Sequence, residues 1–184
     1  LDKLRKGDIE MKTEERRNNL LEILKKADKP QIGSDLAEQF DVSRQVIVQD
    51  IALLRARGEE ILATSQGYLI PGSSGMETVS ATIACRHNND EVEDELMTIV
   101  NHGGKIVDVV VEHPIYGDLR GMLMIQTPSD VDKFMDNYKD NEASLLASLT
   151  DGVHLHTIEA INEQVIERLK EVLQRKGYLL QIEE

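Results

Sequence analysis

The sequence predicts an α+β chain in two domains, a helical one over residues 12–71 and an antiparallel-rich α/β sandwich over residues 76–184. Three observations lead there. Length is the first: 184 residues are many for one domain and comfortable for two small ones, each with a modest core. Charge is the second, because residues 1–71 carry 12 Lys/Arg against 13 Asp/Glu, whereas residues 72–184 carry 9 against 21. The third is the stretch "IPGSSG", residues 70–75, whose Pro/Gly/Ser composition marks a linker where the charge balance changes.

The elements of the first part follow in order. "LDKLRKGDIE" has no apolar period and is read as lying outside the folded unit. From Thr13, Leu20, Leu21, Ile23 and Leu24 recur at helical spacing until Pro30 ends the pattern. "IGSDLAEQF" predicts a short second helix with Ser34 as N-cap and Leu36, Ala37 and Phe40 on one face. After the turn "DVS", Ser43 is positioned to cap "SRQVIVQDIALLRARG", where Val46, Ile47, Ile51 and Leu54 form the buried stripe and Gly58 the stop. Two helices joined by a tight turn describe a helix-turn-helix. "EILATSQGYLI" adds a hairpin with Gln66-Gly67 at its tip, a wing.

This segment resembles the winged helix-turn-helix of bacterial regulators related to the biotin repressor, with "LAEQFDVSRQVIVQDI" carrying the resemblance. The second helix of such a motif enters the major groove with its N-terminal side chains at base edges. Arg44, Gln45, Val48 and Gln49 hold that position, Ser43 suits a phosphate, and Ser65 and Gln66 are the expected wing contacts. Arg16, Arg17, Arg55 and Arg57 are candidates for a phosphate clamp. Double-stranded operator DNA is the expected partner, and the alternative is a protein-binding module. Asp41 stands in the turn where related motifs often have glycine, and aspartate tolerates the left-handed conformation.

In the acidic part, "TVSATIACRH" alternates, with Val79, Ala81, Ile83, Cys85 and His87 on one face of a strand. "NNDEVEDELMTIVNHGG" reads as a helix with a Gly-Gly stop, and His102 as a cation at its C-terminal end. "KIVDVVVEHPIYG" is a strand with Val107, Val109, Val111 and His113 in one row. "LRGMLMIQT" pairs with it as a hairpin. A helix capped by Ser129, a strand at "GVHLHTI", a helix over about residues 159–176 and a terminal strand at "GYLLQI" complete the order. That order predicts a roughly ferredoxin-like sheet with an extra helix and strand.

Side chains two apart on a strand share a face, so His154 and His156 form a chelating pair. His87 ends another inward row and offers a third nitrogen. Asp90, Glu91, Asp94 and Glu95 follow as candidate carboxylates. Glu95 is favoured, because it faces the sheet if Val92, Leu96 and Ile99 do. Such a set suits a borderline divalent ion, zinc or nickel. The alternative is a set of ordinary core or surface histidines satisfied by backbone partners. Cys85 shares the row of His87 but is set aside, since a lone buried cysteine is usually a small hydrophobe.

"ACRHNNDE", "EHPIYGDLRG", "LLASLTDGVHLHTIE" and "LKEVLQRKGYLL" resemble the three-histidine, or 3H, domain, over nearly all of residues 77–182. Together the two parts resemble the niacin-responsive transcriptional repressors that silence genes of NAD synthesis and nicotinate uptake. The resemblance implies a metal site on His87, Glu95, His154 and His156, and nicotinic acid as effector with His113 lining its pocket; the attached DNA reader favours a sensor over an enzyme. Physically, a small carboxylate entering an acidic domain needs a local positive centre, which a divalent cation supplies and Arg86, Arg120 or His113 extend. A homodimer is expected, because winged readers commonly use two half-sites.

The rival classes are a metal-dependent hydrolase with Asp151 or Glu112 as base, and a repressor that senses the metal itself. A biotin-ligase repressor lacks support, since the second part has no Gly/Arg-rich nucleotide loop. No GxGxxG or P-loop argues for a dinucleotide or ATP either. The single cysteine allows no internal disulfide, and no leader-like or membrane-length apolar run occurs in these residues, which predicts a soluble cytoplasmic protein without membrane association.

Overall fold

The chain folds as two compact units, residues 1–73 and 74–184, each with its own apolar core. The computed structural model describes residues 2–71, 78–140 and 144–180, with side chains from residue 12 onward. Most of the expected linker, residues 72–75, lies outside the described residues.

In the first unit, α1 (Asp2–Lys26) takes in residues 2–10, which the sequence pattern places outside the folded unit. Its Leu20 and Leu24 pack with Leu36 and Ala37 of α2 (Gly33–Gln39), with Ile47, Ile51 and Leu54 of α3 (Arg44–Ala56), and with Ile61. The cap of α2 differs from expectation: Ile32 is the N-cap and the Ser34 hydroxyl turns to Asp35 at 3.2 Å. Ser43 does hold the N-cap position of α3, with no side-chain bond to the helix. Asp41 adopts the left-handed conformation at φ 50°, as its tolerance of that region allows. The wing is β1 (Leu62–Thr64) paired antiparallel with β2 (Gly67–Leu69), so its tip is Ser65-Gln66, one residue earlier than predicted. Gly67 is required there, because a Cβ would stand 2.3 Å from the Gln31 carbonyl oxygen, which accepts from Tyr68 in a bridge to the wing.

The second unit contains a four-stranded, wholly antiparallel sheet in the order β3 (Val79–Arg86), β6 (Val153–Ala160), β4 (Lys105–His113), β5 (Gly117–Ile125). Each β-α-β unit is split by a strand of the other, the ferredoxin-like relation that the element order predicts. Helices α4 (Val92–Asn101), α5 (Pro128–Asp140) and α6 (Glu163–Lys176) bury Leu96, Ile99, Val131, Met135, Ile166, Leu169 and Leu173 against Ile83, Ile106, Leu123, Ile125 and Ile158.

Local chemistry corrects several boundaries. A β-bulge between Ile106 and Asp108 shifts the register of β4, so Ile106 takes the core side in place of the expected Val107, and Val109 and Val111 resume the predicted row. Thr127 and Asp130 exchange bonds ahead of α5, with Pro128 at its first position, so the cap lies before Ser129. The last helix begins at Glu163 rather than near 159, because β6 runs to Ala160 and the Asn162 side chain accepts from the Val165 amide. At "GYLLQI", Leu179 makes an isolated bridge to Cys85 where a strand is expected, and residues 181–184 lie outside the described residues.

Candidate metal centre and nucleic-acid interface

Three histidines and one carboxylate converge because the topology brings three segments together. Cross-strand pairing sets Cys85 opposite His154, and Ile83 and Val109 on either side of His156, so their side chains share the helix-covered face. His87 follows directly on β3, and α4 lowers Glu95 from above. All four groups are buried, with Glu95 1% exposed. Glu95 Oε2 lies 2.7 Å from Nε2 of His87 and 3.4 Å from Nε2 of both His154 and His156.

The opposite ring nitrogens fix the tautomers. Nδ1 of His87 stands 2.9 Å from the Asn88 carbonyl, that of His154 2.8 Å from Gly152, and that of His156 2.7 Å from Asp108. A carbonyl only accepts, so each Nδ1 carries hydrogen and each neutral imidazole turns a lone pair at Nε2 toward Glu95. Lone pairs facing a carboxylate require a proton or a cation between them. Without an ion, burial alone would lower the affinity of His87 and His156 for protons, but the Glu95 carboxylate outweighs it and raises both above the ordinary value. Burial opposes ionisation of Glu95, yet the imidazoles around it hold its carboxyl well below the usual range. Glu95 Oε1 is buried and has no hydrogen-bond partner. Three preset Nε2 donors and an orphaned carboxylate oxygen fit a divalent cation. The Cys85, Glu95 and His154 donor atoms also lie within 4.8 Å of one another, and this buried cluster is compatible with metal binding.

Above the cluster lies a cavity of about 40 Å³ with an apolar wall that includes Val109, Leu123, Phe134 and Leu145. That is room for an ion with one or two waters. His113 and Arg120, expected as effector contacts, are not among its lining residues. His113 keeps the row of Val109 but stands roughly 13 Å further along the strand, where its Nδ1 accepts from Ile115 and Tyr116 amides. Arg120 pairs across from Val110 and reaches Asp108 at 3.3 Å, on the sheet face opposite Val109. Of the other carboxylates, Glu91 closes a capping box with Asn88, Asp94 binds Lys176 and Tyr178, and Asp90 is exposed. Tyr178 packs its ring edgewise on His87 at 5.4 Å between centroids. His102 ends α4 as expected, its Nδ1 donating to the Thr98 carbonyl.

In the first unit Ser43, Arg44, Gln45 and Gln49 are exposed along the start of α3, Val48 is half-buried beside them, and Ser65 and Gln66 form the wing tip. The arginine clamp is mostly spent elsewhere. Arg16 and Arg17 bind the buried Asp50 carboxylate at 2.6 and 2.9 Å, and Arg57 pairs with Glu14. Arg55 is exposed. Asp50 went unremarked in the sequence, although it lies three residues after Ile47 on the buried stripe. Among the described residues no helix is long and apolar enough to cross a membrane.

Comparison with known proteins agrees with both halves. The model of the 3H domain matches residues 80–182, and that of an HTH domain matches residues 16–69. A probable transcription repressor NiaR of Thermotoga maritima is 43% identical over 94% of this chain and 99% of its own length. Transcription repressor NadR of Bacillus subtilis is 42% identical over 90% of this chain and 93% of its own. Both of these relatives are named as transcription repressors. The chain belongs to the niacin-responsive transcriptional repressor family, in which a helix-turn-helix is followed by a 3H domain.

Proposed function

We propose that this protein is a cytoplasmic, homodimeric repressor of NAD-synthesis and niacin-uptake genes, controlled by nicotinic acid bound beside a metal ion in its 3H domain. The observation that carries the reading is the convergence of three Nε2 atoms on Glu95 beneath an apolar cavity. His87, His154, His156 and Glu95 hold the ion, nickel or zinc. When bound, it supplies a positive centre with an open position for a carboxylate or a pyridine nitrogen.

The chain's own side chains do the rest. Val109, Leu123, Phe134 and Leu145 present an apolar wall to an aromatic ring, and the small cavity must widen at these side chains to admit it. That demand gives effector binding a structural cost, and hence a way to favour one arrangement of the repressor over another. At the DNA, Arg44, Gln45, Val48 and Gln49 face base edges, while Ser43, whose hydroxyl makes no cap bond, and the wing residues Ser65 and Gln66 meet phosphates or the minor groove.

Calorimetric titration of nicotinate into metal-loaded protein tests this, repeated on metal-stripped protein and on the His154→Ala, His156→Ala double variant. Binding confined to the loaded wild type supports effector control through the metal. No binding to the loaded protein sinks it. The small cavity favours a second reading, in which the metal itself is the signal. Metal added without nicotinate to an operator-binding assay separates the two.

A further inference from the structure

Cys85 lies at the floor of the same cluster, and its position is set by the sheet. It pairs with His154 across β3 and β6, so its thiol shares the face of the histidines, and it is 0% exposed. Its Sγ, a Glu95 oxygen and a His154 nitrogen lie within 4.8 Å of one another. Two donors held by one ion at about 2.0–2.3 Å stand no more than ~4.6 Å apart, so the trio is close to ligating distance. The independent observation is Glu95 Oε1, a buried carboxylate oxygen with no hydrogen-bond partner. A carboxylate with one oxygen among imidazoles and the other orphaned, beside a buried thiol, is a donor set without its acceptor.

We infer that the Cys85 thiolate is a direct ligand of the metal ion, alongside Glu95 and the histidines. The inference rests on the metal reading above and narrows it. Ligation replaces the S–H bond by a sulfur–metal bond and releases the proton to buffer, with no change of oxidation state. Without an ion, burial and the neighbouring Glu95 charge push the thiol upward, so Cys85 is a neutral, inert thiol there. A soft thiolate then biases the centre toward zinc, cobalt or nickel and away from manganese or magnesium.

Cobalt(II), added to the full chain after chelation and thiol reduction, is the probe. Bound to a site of nitrogens, oxygens and one sulfur, it shows visible d–d bands together with a sulfur-to-cobalt charge-transfer band in the near ultraviolet. Both are expected in the wild type, with loss of only the charge-transfer band in Cys85→Ser and Cys85→Ala. Because Cys85 is the chain's single cysteine, no other thiolate in it can supply the band. A wild-type spectrum with d–d bands alone overturns ligation by Cys85 and leaves the metal reading standing. A charge-transfer band that survives both substitutions also overturns it. Absence of all bands overturns both. The wild-type spectrum decides even if a variant fails to fold, and a merely structural Cys85 gives no charge-transfer band.

Discussion

His156 donates from Nδ1 to the backbone carbonyl of Asp108 at 2.7 Å, across the strands β6 and β4 and beside the bulge that interrupts their register. The bond fixes one face of the ring and so aims Nε2 at Glu95. Protonation of the cluster therefore has a definite sign. His87 and His156 bind protons more tightly when folded, so their pairing with Glu95 stabilises the metal-free protein below the ordinary imidazole value of 6.5 and fades as pH rises through the raised folded values. Glu95, held low, contributes above its ordinary 4.5 and loses that contribution as pH falls through its depressed value. Metal-free protein is expected to be most stable between these limits. Urea unfolding across a pH series checks this, and Glu95→Gln should flatten the alkaline decline. Metal affinity should move the other way, rising with pH as the imidazoles lose their protons.

Gly152 carries a second prediction. It sits at φ 85°, and an added Cβ would stand 2.1 Å from the His87 carbonyl oxygen, while its own carbonyl orients His154. Gly152→Ala should cost at least ~1–3 kcal/mol from the backbone conformation alone and lower metal affinity by displacing two ligands together. Thermal unfolding with and without metal measures both. An unchanged affinity would contradict the placement of this turn.

Asp50 holds Arg16 and Arg17 between α1 and α3 while only 2% exposed. Asp50→Ala leaves the half-buried Arg16 guanidinium unpaired and Arg17 with Glu14 alone, and should destabilise the first unit by about 3 kcal/mol. Limited proteolysis, read by cleavage between residues 12 and 71 against cleavage after residue 78, distinguishes loss of that unit from global unfolding.

Gln45 and Gln49 are exposed on α3 and hold no core position. Alanine at either should weaken binding to a selected operator by roughly 10- to 100-fold and leave the melting temperature unchanged. Fluorescence anisotropy on DNA obtained by selection from random duplexes reads the affinity. Equal weakening on unrelated DNA would assign them to the phosphate backbone instead.

Elements with a regular period were legible in the sequence, and so was most of the candidate site. The His-x-His alternation in β6 and the helical spacing of Leu96 and Ile99 place His154, His156 and Glu95 on facing surfaces by period alone. What escaped depends on irregularity or on distant partners. The bulge at Val107 inserts one residue into an apolar run, and nothing in "KIVDVVVEH" marks which valine is extra. Arg16 and Arg17 read as a surface clamp because their partner lies 34 and 33 residues away. Charge alone points Arg120 toward the effector, whereas its pairing opposite Val110 puts it on the face opposite Val109.

The three groups that set the imidazole tautomers are main-chain carbonyls, those of Asn88, Gly152 and Asp108. No side-chain replacement can delete a carbonyl. The layer behind the ligands is therefore written in backbone shape, and evolution can exchange the side chains at Asn88 and Asp108 without erasing it. What it cannot tolerate is a slip in strand register, so an insertion in β4 remote from every ligand would damage the site more than many substitutions beside it.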